Sequence, residues 1–496
     1  MIIDRYVIQK RDDPDFMLRN YMHEMFGDSK PYDKKRFWTL IDNWKAYLTN
    51  EWGARKGHVI AIALVKNNVN SAAFMFATAE LGLQVCPSSL YWNPDCEVEY
   101  PITALLNSSQ SSTPVWGAWD SVSERLLNAS QRDYVEEHMP LEMLNIDTVD
   151  IENYNEPPEI EYPDILPDDP YYITYSDGEH EDRIEFQYYT HKECWQLAHR
   201  QFKMFDMYDS LAIHTFNTVH CMSFVLYSVA AFMGAKEHYY VNWWDRLSMW
   251  RKGQVNILHT LYQRPEKKVV WFKNEETLER SLEGYVNPDK GYTHFVAPFG
   301  VYTEKLHQLA KDHNVKISVH HGETRSKALT LFTKPVREDY VENSLGFIMD
   351  NFYEAVYSPQ RKTMFVRAHD SDRYYPLSFK VDKQENGEYL YAGPVETNPY
   401  QKRVETILGH SEFFLLRKLG QNYLGLFEDA TEDQMKLLNT LGLTEIQVID
   451  KMSFLLENSR YRDWFMLKNQ FEYGFEEYEE GRVRYYYGEE DADQDW

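Results

Sequence analysis

The sequence predicts an α/β protein: a large N-terminal body of parallel and mixed sheets flanked by helices, then a small β-rich and α+β C-terminal part. Two observations lead to this class. Short apolar runs of strand length alternate with segments of helical period through much of the chain. From about residue 375 the texture changes to turn-linked runs that read as antiparallel hairpins.

Residues 1–50 read as helical, because "RFWTLIDNWKAYLTNEW" sets Phe37, Leu40, Ile41, Trp44 and Leu48 on one face. The run Val59–Val65 in "GHVIAIALVKNN" is continuously apolar, as a strand covered on both faces requires. "SAAFMFATAELGL" follows as a helix stopped by Gly82, and "QVCPSS" reads as a second strand. This β-α-β unit implies a parallel sheet with a right-handed crossover. "NSSQSSTP" is a loop, and "NYNEPPEIEYPDILPDDP" is an acidic, proline-rich linker. "CWQLAHRQFKMF" and "MSFVLYSVAAFMGAKEHYYV" predict helix, helix and strand. "KVVWF", "THFVAPF", "VKISVHHG" and "LGFIMDNF" are further strand-like runs, separated by helical pieces such as "TEKLHQLAKDH". "ATEDQMKLLNTLG" is a helix capped by Thr431. The division that follows is an α/β body over 1–370 with its acidic linker near 150–170, a β-rich part over 371–430, and a reduced C-terminal region over 431–496 that ends in an acidic tail.

The formal net charge of −26 disfavours nucleic acid and acidic membrane surfaces, since phosphate recognition draws on an excess of Lys and Arg. Small apolar or carboxylate ligands, a protein partner or a larger assembly remain as candidates. The four cysteines, Cys86, Cys96, Cys194 and Cys221, have no C-x-x-C spacing and suit reduced thiols. The start "MIIDRYVIQKRDDPDF" does not read as a signal peptide. Met222–Met233, at 12 residues, is too short to span a bilayer. The expectation is a cytoplasmic protein. His320 and His321 are neighbours on a strand and point to opposite faces, so they cannot share one metal.

Several stretches, in order, carry a resemblance. "DDPYYITYSDGE…YYTHKE" has a strand-like lead-in, a glycine turn and a Thr-His exit. "NTVHCMSFVLYSVAAFMGA" places His220 before an apolar helix. "HHGETRSKAL", "DNFYEAV", "NGEYLYAGPVETNPY" and "FFLLRKLGQNYLGLF" follow. Together with the first β-α-β unit, this series resembles the adenylate-forming superfamily of acyl-CoA synthetases, peptide-synthetase adenylation domains and luciferases, over roughly residues 40–430.

The resemblance implies an ATP and Mg²⁺ site at which a carboxylate attacks the α-phosphorus to give an acyl-adenylate. It would draw on Ser176, Gly178 and Thr190 in the phosphate loop, Gly322 beside the adenine, Tyr353 at the family's phosphate-binding threonine, and Glu354 as Mg²⁺ ligand. Glu354 and His220 would be the catalytic pair if the site is active. At most of these places the sequence departs from the family's pattern. The loop keeps one glycine, and Asp177, Glu179, Glu181, Asp182 and Glu185 surround it. Bringing a triphosphate of about four negative charges into that company is unfavourable, and Arg183 alone cannot balance it. Asn351 stands for a glycine. Lys418 stands where the family has the aspartate that accepts from the ribose hydroxyls, and an ammonium accepts no hydrogen bond. Lys468 is the only near match to the family's C-terminal lysine, without its glycine neighbour.

The expectation is therefore a divergent member of the superfamily with lost or reduced adenylation activity, needing no cofactor and serving as a binding or structural module. The alternative is an active ATP-dependent carboxylate ligase that rescues phosphate binding through Arg183, Lys192 or a partner's cation.

Overall fold

The computed structural model describes residues 2–4, 16–20, 31–64, 67–87, 115–121, 143–175, 186–214, 222–241, 261–272, 275–287, 293–298, 301–323, 328–333, 341–348, 353–359, 362–368, 375–377, 379–394, 401–409, 413–418, 421–426, 429–443 and 445–448. Among them, two large sheets and two small ones make up the protein.

The first large sheet has six strands. Its centre is Val59–Ala63, flanked in parallel by Gln84–Pro87 and Val115–Trp119. Met143–Asn145 extends one side in parallel, and Pro170–Tyr175 the other. Phe186–Thr190 closes that other side as an antiparallel edge. The apolar run seen in sequence is thus a central strand, and the helix after it is α2 (Val69–Glu80), which follows α1 (Lys34–Asn50). Asn68 caps α2 by accepting from Ser71 N, as Asp33 caps α1 by accepting from Arg36 N.

The second sheet has eleven strands. Its parallel part runs through Met17–Asn20, Glu237–Tyr240, Leu211–His214, Lys268–Trp271, Thr293–Pro298 and Lys316–Glu323. Antiparallel strands Ala328–Phe332, Ser344–Ile348, Tyr389–Pro394 and Phe379–Lys383 continue it. Phe379–Lys383 and Tyr389–Pro394, which the sequence places in the β-rich part after residue 371, therefore belong to the same sheet as the body.

The N-terminal region differs from the helical expectation. Met17–Asn20 is a strand, parallel to Glu237–Tyr240, and the helix begins only at Lys34. Four residues carry too little periodicity to announce a strand; pairing with a distant partner fixes it.

Helices α2, α3 (His191–Met204) and the turn-and-helix Phe224–Val229 and Ala230–Phe232 share one apolar core with residues of both large sheets. Phe37 stacks on Phe232, and Phe76 meets Phe232 and Phe224 edge-on. Phe224–Val229 is wound as a π-helix, a form that recurs beside functional sites. The hairpin Tyr353–Ser358 and Thr363–Ala368, with Tyr375–Pro376, forms a three-stranded sheet. Its Met364 and Val366 pack on Leu331, Leu345 and Val381 of the large sheet. The hairpin Phe413–Lys418 and Gln421–Leu426 pairs in parallel with Glu445–Val448 and, with the helices Gln401–Leu408 and Glu432–Asn439, encloses its own core of Val404, Leu408, Leu424, Leu426 and Leu438. Thr431 caps Glu432–Asn439 in a reciprocal box with Gln434. Among the described residues no helix is long and apolar enough to cross a membrane.

Candidate functional site

Both large sheets reverse their strand order at one point. Val59–Ala63 has the next two parallel strands of the chain on opposite sides, and so does Leu211–His214. The crevice outside the carboxyl ends of strands at such a point is where open α/β sheets bind ligands.

Here the two switch points meet. Asn67 follows the Val59–Ala63 strand, is 3% exposed, and donates its Nδ2 to the carbonyl of His214 at the end of its strand in the other sheet. That carbonyl also accepts from Val241 N at 2.9 Å. Asn20 ends Met17–Asn20, and its Oδ1 accepts from the first amide of α2, Val69 N, at 2.8 Å. The carboxyl edges of both sheets are therefore joined by side-chain amides along one seam.

Three rings stand in register on the large-sheet side of this seam. His214, Tyr240 and Trp271 close adjacent strands; the His214 ring lies 4.6 Å from Tyr240 and 5.5 Å from Trp271. Tyr227, from the π-wound turn, lies 5.4 Å from Trp271. Beneath them His214 Nε2 and His238 Nδ1 are 3.1 Å apart. Both imidazoles are buried, and burial, with the second ring beside it, holds His214 well below the usual histidine range. One imidazole donates to the other, the roles set by the tautomer of each ring. Among the described residues, the Oη of Tyr240 and the Oδ1 of Asn67 are buried polar atoms without a hydrogen-bond partner. The wall is apolar and uncharged, with a few polar tips; it suits a planar or apolar group better than a phosphate.

The sequence-predicted residues are distributed as follows. Ser176, Gly178, Arg183 and His220 lie outside the described residues. The strands that precede them, ending at Tyr175 and His214, both run toward the carboxyl edges of their sheets. Thr190 is the N-cap of α3: its hydroxyl accepts from Glu193 N, and the Glu193 carboxylate accepts from Thr190 N at 2.7 Å. Lys192 gives its backbone N–H to the Pro167 carbonyl at 2.8 Å. The first turn of α3 is thus satisfied by the protein itself, and Thr190 is engaged in local structure. Gly322 lies at an irregularity in its strand, opposite Leu329. Tyr353 opens the hairpin opposite Ala368. Lys418 ends its strand opposite Gln421, in the small C-terminal sheet.

Glu354 faces Arg367 across the hairpin, with Arg367 Nη2 2.5 Å from Glu354 Oε2. The carboxylate that the resemblance offers to Mg²⁺ is paired with a guanidinium. Among the described residues no group of three His, Cys, Asp or Glu side chains could hold a metal ion. His320 is fully buried, 3.4 Å from Gln201 Nε2 and stacked on Phe205, and burial holds it down at about 3. His321, its strand neighbour, is only half-buried, in keeping with the opposite faces read from sequence.

Sequence reasoning missed Asn67, His214 and His238. The available signal was a polar residue at or just past the end of an apolar strand, as in "LAIH".

No protein-family model matches this sequence. No curated protein matches it either. Solved structures do. A mutant form of coronafacic acid ligase from Pectobacterium brasiliense superposes with a TM-score of 0.58 at 12% identity, over 95% of this chain and 99% of that one. Apo MatB from Rhodopseudomonas palustris gives 0.60 at 12% identity, over 91% and 95%. The anthranilate CoA ligase AuaEII in complex with anthranoyl-AMP gives 0.59 at 12% identity, over 91% and 93%. The chain shares the fold of these ligase structures.

Proposed function

We propose that this protein is a divergent form of the adenylate-forming ligase fold, with adenylation activity lost or reduced, and that it works as a binding or structural module. The Glu354–Arg367 pair carries the reading. An Mg²⁺ ion bound at Glu354 would have to compete with the positive charge of a guanidinium 2.5 Å from the carboxylate oxygen Oε2. Lys418 at the ribose position and five acidic residues around Gly178 add to it from the sequence. The seam with its stacked His214, Tyr240 and Trp271 rings supports a small apolar ligand as the molecule bound, and a carboxylate ligand is the alternative the fold's relatives suggest. A protein partner or larger assembly is the other candidate, and the net charge of −26 argues against nucleic acid and acidic membranes. The proposed compartment is the cytoplasm.

Isothermal calorimetry with ATP and Mg²⁺ tests this directly and is expected to give no heat of binding. Pyrophosphate release, assayed with a panel of fatty, aromatic and amino acids, is expected to stay at background. Release above background that Glu354→Gln abolishes would establish an active carboxylate ligase instead.

A further inference from the structure

The chain's first residues reach the start of α3 from far away in sequence. Ile3 is fully buried and Asp4 nearly so. The Ile3 backbone N–H donates to His191 Nδ1 at 3.2 Å. An imidazole nitrogen that accepts a hydrogen bond carries no proton, so this contact requires His191 in its neutral, Nε2-protonated form. His191 is itself fully buried and stacks on Tyr171 with ring centroids 4.7 Å apart.

We propose that residues 2–4 form a strap clamped on His191, and that protonation of this imidazole at Nδ1 releases the strap from the start of α3. A proton on Nδ1 turns the acceptor into a second donor facing the Ile3 N–H. Docking of the strap and protonation of the ring therefore exclude one another.

The charged and titratable groups around the ring set how strongly it resists the proton. Asp169, from the segment leading into Pro170–Tyr175, favours protonation. Its carboxylate is already held by Lys56 Nζ at 2.6 Å and by Leu166 N at 2.6 Å. Lys56 and the chain's amino terminus oppose protonation. The Tyr171 hydroxyl is turned away to the Met75 carbonyl at 3.2 Å. Glu193, on the same helix, is turned to Thr190 N. Cys194, in the first turn of α3, is a buried thiol outside any disulfide. Burial is the largest influence and holds His191 down at about 4.

Amide exchange on the full chain, read as protection factors, tests the strap. Protection at Ile3 is expected to fall about tenfold or more between about pH 6 and pH 4, while core amides such as Ile60 and Ile213 keep theirs. In His191→Asn an oxygen takes the place of Nδ1 and does not titrate, so Ile3 should stay protected across that range. Equal loss in both proteins, no loss in the wild type, or loss only together with the core amides overturns the proposal. Because His191→Asn can fail to fold, an NMR titration of the His191 ring gives a second reading. Deleting residues 2–4 should raise its pKa, and an unchanged value overturns the strap.

Discussion

Lys45 Nζ lies 2.9 Å from Glu80 Oε2, joining α1 to α2, with side-chain exposures of 8% and 10%. Asp42 adds a longer contact at 3.4 Å, and the ring of Tyr162 covers the ammonium at 4.1 Å. Removing Glu80 leaves the Lys45 ammonium to the longer Asp42 contact and the Tyr162 ring. Glu80→Leu alone is expected to cost about 1–3 kcal/mol, whereas the double change Lys45→Met with Glu80→Leu should cost less or stabilise. Urea denaturation of the two variants checks the contrast; equal losses would mean the pair is not electrostatically coupled.

His320 predicts acid lability of a definite sign. Its folded-state pKa is depressed to about 3 by burial, from an ordinary value near 6.5. The folded form stays neutral while the unfolded chain takes up a proton, so stability is complete above about pH 6.5 and falls as the pH drops toward 3, by about 1.4 kcal/mol per unit. His320→Gln should remove that one increment from the slope of unfolding free energy against pH between about 4 and 6. An unchanged slope would assign the acid sensitivity to other groups.

Asn67 is the tie between the two large sheets. Asn67→Ala deletes its hydrogen bond to the His214 carbonyl, which keeps its bond from Val241 N at 2.9 Å. The expected loss is about 1 kcal/mol, because the carbonyl is not left bare. A loss several times larger in chemical denaturation would show that Asn67 organises more than this contact.

Gly234 sits where no side chain fits. A Cβ there would meet Phe202 Cε2 at 2.2 Å, in a ring packed edge-on against Tyr208 at 4.5 Å between centroids. Gly234→Ala is expected to destabilise by about 1–3 kcal/mol, and Phe202→Leu in the same chain should recover part of it. A thermal melt unchanged by Gly234→Ala would mean that the ring gives way freely.

Much of the fold was legible in the residues. Val59–Val65 is apolar without a break because its strand is central and covered on both faces. Thr431 marked the start of its helix, and the structure adds Gln434 to the cap. Met17–Asn20 was not legible, since four residues gain their conformation from Glu237–Tyr240, far along the chain. Thr190 announced a helix start, and it is one; its hydroxyl answers to Glu193. The local signature of Asn67 and His214 is slight. Each is a polar residue beside an apolar strand, and only the stacking of two sheets brings them together.

One core runs through both large sheets and the helices between them, and a second lies against the eleven-stranded sheet. The hairpin that presents Glu354 packs Met364 and Val366 on that sheet, while Glu354 itself sits at the exposed periphery. Side chains at such a periphery are replaced at low cost to the whole. A fold held together from its interior leaves such positions open to change, in keeping with a shared fold at only 12% identity.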